Sequence, residues 1–276
     1  MMLPLDERSP HAVLARRELV LAAVILVAFT RLVEPADAFL ISGLLPVVML
    51  LAGIGVLGSD RNRRPFENLL VPAVLTGGAG AAIHLVTPGL PMVPALALVA
   101  LLLDRILALE IRLLAQHTSP TESDRSRVLV GAVVAAFVAF TGVATLVPGG
   151  LAETGLALPA DTSLSLGWLL VLTVDVALVA LLLGYRLAVL RYGSAADAAR
   201  SALTYALVVA VAAGATRAIG LPLVAGPVIL SLVFYLWDAL HGTAPARRRQ
   251  PRFLVELIVL AALGVVVVAW NLQIAG

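Results

Sequence analysis

GWLLVLTVDVALVALLLGYR, residues Gly167 to Arg186, is apolar along nearly its whole length and carries one carboxylate, Asp175, in its middle. A helix of about 20 apolar residues matches the roughly 30 Å hydrocarbon layer of a bilayer. With 1.5 Å of rise per residue, Asp175 then lies roughly 15 Å deep, close to the midplane. An acidic group at that depth costs about 2.5–3.5 kcal/mol on insertion scales and is expected to face a cavity or a polar partner. Three outcomes are open. Asp175 carries a proton and donates a hydrogen bond, or meets Arg31 or Arg217 reaching inward, or joins Asp104 in binding a proton, a cation or the amine of a substrate.

The rest of the chain repeats the pattern of that stretch. Of its 276 residues 61% are hydrophobic and 13% charged, and mean hydropathy is +1.04, far from the balance of a soluble domain. These values point to an all-α, polytopic integral membrane protein. Nine stretches meet the length requirement: 18–34, 38–57, 68–87, 92–111, 128–147, 165–186, 201–219, 221–240 and 253–272. The seventh and eighth are separated only by AIGLP, where Gly220 and Pro222 favour a tight turn. The first is read as a span rather than a secretory signal, because its apolar run is long for a signal core and Arg31 would fall in the cleavage region.

All 19 basic residues are arginines. With the N-terminus in the cytoplasm, 17 of the 19 fall on the cytoplasmic side, leaving Arg31 and Arg217 near the outer face. This asymmetry is the orientation signal of inner-membrane proteins, and an odd number of spans places the C-terminus outside. It also explains the net charge of +2 without nucleic acid, which would need a basic face on a soluble module. The chain has no cysteine, which excludes disulfides, thiolate metal sites and cysteine nucleophiles. The absence of lysine excludes a Schiff base.

Short strings recur in the same order in the two halves of the chain. VAFT occurs at Val27–Thr30 and at Val138–Thr141; GLPMV at Gly89–Val93 answers GLPLV at Gly220–Val224. The helices following the latter pair run to Asp104 and Asp238. A single membrane domain, 1–276, would then hold two parallel four-helix halves, 18–111 and 128–240, with 253–272 as an additional helix. Duplicated halves are common in transporters, whose sites lie near the midplane at the repeat interface.

The candidate substrate- or ion-binding residues are Asp175, Asp104, Arg31, Arg217 and His84. His84 is the one histidine within a span, so bis-histidine haem ligation has no second ligand there. Thr30-Arg31 and Thr216-Arg217 end two outward-running helices, either as an anion site or as guanidiniums reaching the headgroups. Glu110, Asp238 and Glu256 lie nearer the cytoplasmic surface and are expected to be interfacial. Gly77, Gly78 and Gly80 mark close helix packing, or an interrupted helix exposing backbone to a ligand.

The sequence holds no P-loop, no HExxH, no GxSxG and no clustered acidic metal motif, so no catalytic residue, cofactor or metal is assigned. The longest external loop carries Glu153 and Asp161 without a base beside them. The leading expectation is a small transporter for a solute, ion or lipid in a bacterial inner membrane. The alternatives are a non-catalytic subunit or scaffold of a larger membrane complex, and an intramembrane lipid-modifying enzyme. Membrane lipids are the expected partners, with a membrane-protein partner or a second copy of the chain left open.

Overall fold

The computed structural model describes residues 10–57, 65–115, 120–148, 150, 165–192, 194–218, 225–243 and 251–275. Nine α-helices are found among them: α1 (Pro10–Thr30), α2 (Pro35–Leu57), α3 (Pro65–Ala82), α4 (Met92–Ala115), α5 (Glu122–Leu146), α6 (Leu166–Val189), α7 (Ala195–Ala218), α8 (Ala225–Gly242) and α9 (Pro251–Ala275). A 3-10 turn, Ile83–Leu85, extends α3, and the described residues contain no strand. Four helices begin on proline, whose fixed φ suits the first turn and whose missing N–H would have no partner there anyway. At the start of α5 the Thr121 hydroxyl accepts from the Asp124 N–H, and the Asp124 carboxylate accepts from Thr121 in return.

Seven helices, α2 to α8, are long and apolar enough to cross a membrane. Helix α1 begins earlier than its apolar run and so includes Arg16, Arg17 and Glu18. Arg16 meets Asp104 of α4 at 2.9 Å, so one of these charges is matched within the fold. The described apolar stretch of the last helix is Phe253–Val266. The turn between α7 and α8 and the loop bearing Glu153 and Asp161 lie outside the described residues.

Helix α3 is the hub. Every residue from Leu69 to Ala81 is buried, and α1, α2, α4, α5 and α6 all pack against it. Most of the other spans turn apolar side chains outward, as helices facing hydrocarbon do. Close approach explains why α3 holds the glycines. A Cβ on Gly78 would stand 2.5 Å from the Ala139 Cα of α5, and one on Gly142 would stand 2.6 Å from the Gly78 carbonyl oxygen. The backbones of α3 and α5 therefore touch, which is how membrane helices gain packing without a hydrophobic force between them. Gly77 faces the ring of Pro46 on α2 in the same way. The helix runs unbroken through Gly77–Gly80, so these residues serve packing and not an interruption.

Gly78→Leu should force α3 and α5 apart and cost about 1–3 kcal/mol or more, as overpacking does. Gly43→Ala, at a position with open space around it, should leave stability unchanged. Thermal unfolding of the two purified variants in detergent checks the contrast, and equal melting temperatures would contradict the contact.

Candidate functional site

Helices α2 and α6 both lean on α3 and α5 without packing substantially on each other. A cleft of about 380 Å³ remains between them. Its floor is Val74, Gly77, Gly78 and Ala81 of α3 with Ala139, Gly142, Val143 and Leu146 of α5. One wall is α2, from Phe39 to Leu50, and the other is α6, from Asp175 to Leu182. Gly43, Val47 and Leu178 line it while remaining exposed, so the cleft opens sideways towards where lipid would lie. Near one end Phe39 and Trp168 bridge the two walls edge to face, their ring centroids 6.3 Å apart.

Asp175 is the only charged side chain on this wall. It is half-buried and has no hydrogen-bond or ion-pair partner among the described residues. The cleft's second polar group is Ser42, whose buried hydroxyl is likewise without a partner. Pro46, one turn on, has no N–H to offer the Ser42 carbonyl. The small residues that let α3 and α5 touch also keep the floor low enough for the cleft to exist. Chemically the site offers an apolar slot with one acid and one hydroxyl, suited to a hydrophobic ligand that brings its own donor.

The other four candidates lie elsewhere, and none of the three described cavities is lined by more than one of the five. Asp104 meets Arg16 of α1 at 2.9 Å, so its carboxylate has a partner within the fold. His84 Nε2 lies 3.1 Å from the Thr30 carbonyl oxygen, to which it donates in the tautomer with the proton on Nε2. The Thr30 hydroxyl donates to Gly80 O at 2.7 Å, and Arg31 Nε donates to Val86 O at 3.1 Å. Thr30, Arg31 and His84 thus latch the end of α1 to that of α3. Arg217 borders a narrow void of about 40 Å³ between α5, α6, α7 and α8.

Two buried polar clusters escape a reading by depth alone. Glu110 and Asp238 are each 2% exposed, not interfacial. The Arg186 guanidinium of α6 grips Glu110 of α4 through both of its carboxylate oxygens, and Asn68 of α3 donates to the same carboxylate at 3.1 Å. Asp238 of α8 accepts from Arg191 and, at 2.7 Å, from the Tyr205 hydroxyl of α7. Burial works against the charge of Arg191, but Asp238 and Tyr205 outweigh it and hold the guanidinium above its ordinary pKa. Inward-facing partners from neighbouring helices, not depth, decided both burials. A signal was present in the spacing: Glu110 falls on the buried stripe Leu103, Ile106, Leu107, Ile111 of α4, and Asp238 on that of Leu230, Ser231 and Phe234 in α8.

The fold and composition define a class, the all-helical polytopic membrane protein, with an acid on the wall of an apolar lateral cleft. Comparison of the chain with protein-family models, curated proteins and solved structures returned no match. Among the described residues no group of three or more histidines and carboxylates is placed to hold a metal ion.

Glu110→Gln should strand Arg186 as a buried charge and cost about 3–5 kcal/mol, whereas the double change Glu110→Met with Arg186→Met should recover most of that loss. Unfolding in detergent reads both. A double variant no more stable than Glu110→Gln would mean that the ion pair is not a buried, isolated pair.

Proposed function

We propose that this chain is a small membrane carrier that takes an apolar ligand from the bilayer into the α2–α6 cleft and holds its protonated amine, or an equivalent donor, on Asp175. The observation behind this reading is a lone carboxylate, without a partner among the described residues, on an apolar wall open to the side. A purely structural acid would be expected to have a partner, as Asp104, Glu110 and Asp238 do. The ligand enters sideways because the exposed lining residues of the cleft face the lipid side of the bundle.

The duplication of 18–111 and 128–240 belongs to the same reading. In the first half α1 packs on α2, α2 on α3, α3 on α4 and α4 on α1; α5 to α8 follow the same ring. The halves differ in that α3 is fully enclosed whereas α7 stands at the periphery. The arginine asymmetry supports a bacterial inner-membrane setting with a cytoplasmic N-terminus. One observation favours a role within a larger assembly: α9 makes its substantial packing with α8 alone and leaves Val255, Ile258 and Val259 exposed.

Because the chain lacks cysteine, one can be introduced at Leu178 and labelled with an environment-sensitive fluorophore at the mouth of the cleft. Dodecylamine should perturb the label at a concentration about tenfold or more below that of dodecanoate or dodecanol, the range a charge-assisted hydrogen bond gives. Asp175→Asn should abolish that preference while leaving folding intact. Equal responses to amine and acid in the unmodified site would sink the proposal.

A further inference from the structure

The α4–α5 groove has a different chemistry and no part in the cleft. Helix α4 leans on α1 and α3 and touches α5 only lightly, leaving a groove of about 530 Å³ between α4 and α5. Along its length it is apolar, with Leu109 of α4 and Val130 of α5 on its walls. At the end where α4 finishes and α5 begins, Arg112 and Arg127 line it beside Ser126, and Arg105 lines it two turns further along α4. Asp124 is the carboxylate at hand, and it is already engaged, accepting from Arg112 Nη2 at 2.7 Å and from Thr121. The Nε of Arg112 is buried without a partner, and Arg105 and Arg127 form no ion pair among the described residues. Three guanidiniums against one carboxylate leave the groove positive.

We propose that this groove is a binding site for an anionic diacyl phospholipid, its headgroup phosphate on Arg112 and Arg127, with Arg105 adding positive charge on the same wall, and an acyl chain along the apolar lining. Charge complementarity selects the headgroup, because guanidinium pairs bidentately with phosphate. The apolar lining that runs on from Arg112 and Arg127, with Ile106 and Leu109 of α4 and Val130 and Val134 of α5, selects a lipid over a free anion, which would use only the mouth. The volume lies within the range of ligand pockets. An annular lipid held in this way would also fill the gap that the light α4–α5 contact leaves.

The test uses the full chain with a single cysteine at Val130, labelled with a fluorophore and reconstituted in phosphatidylcholine vesicles. Phosphatidylglycerol with brominated chains should reach half-maximal quenching at a mole fraction about fivefold or more below that of brominated phosphatidylcholine, the preference that one arginine near an anionic headgroup gives. Arg105→Gln with Arg127→Gln, both exposed, should bring the two lipids to within about twofold while leaving quenching by the zwitterionic lipid unchanged. Equal quenching by the two lipids in the unmodified groove overturns the proposal. Loss of the preference in millimolar inorganic phosphate also overturns it, since the site would then hold a free anion and not a lipid.

Discussion

The contact of α3 with α5 at Gly78 and Gly142 sets the spacing on which the rest of the bundle depends. Two helix backbones that touch leave no room for side chains between them, so the side chains of both helices are directed to the flanks. On one flank lie α1 and α4, held by the Arg16–Asp104 pair and by the latch of Thr30, Arg31 and His84. On the other flank α2 and α6 settle against the shared α3–α5 surface and stay apart from each other. The cleft is the space left by that geometry, and the glycines that permit the contact form part of its floor.

Polar groups inside the bundle divide by whether the protein satisfies them. Glu110 and Asp104 each hold an arginine from a neighbouring helix and Asp238 holds Arg191 of the turn after α6, so these pairs tie the helices to one another. In water such buried pairs contribute little net stability, because desolvation offsets attraction. Within a bilayer, where a polar group has no solvent alternative, their value is in excluding other arrangements of the helices. Asp175 and Ser42 stand outside this scheme, on the same cavity and without a partner among the described residues.

The helices were legible because hydropathy over a bilayer's length is a strong signal. Ala195–Ala218 and Ala225–Gly242 form two helices, as the Gly and Pro between them indicate. Which candidate residues would meet was not legible. Asp104 and Asp175 each lie near the middle of an apolar stretch but belong to different flanks, and position along a helix carries no information about azimuth around it. Glu110 was read as interfacial from its position, while its membership of the buried stripe of α4 determined its surroundings. The cleft itself had no sequence signature, since it arises from two helices failing to touch, and only the cluster of glycines at Gly77, Gly78 and Gly80 hinted at the close contact that produces it.

Accessibility of position 175 from the lipid phase tests the central claim most directly. In the cysteine-free chain, single cysteines replace Asp175, Leu178 and Ala180, the last fully buried on the same helix. A lipid-soluble maleimide added to reconstituted vesicles should label positions 175 and 178 at comparable rates and leave position 180 unreacted. A cysteine at 175 as unreactive as that at 180 would mean a filled interior and no lateral cleft at Asp175.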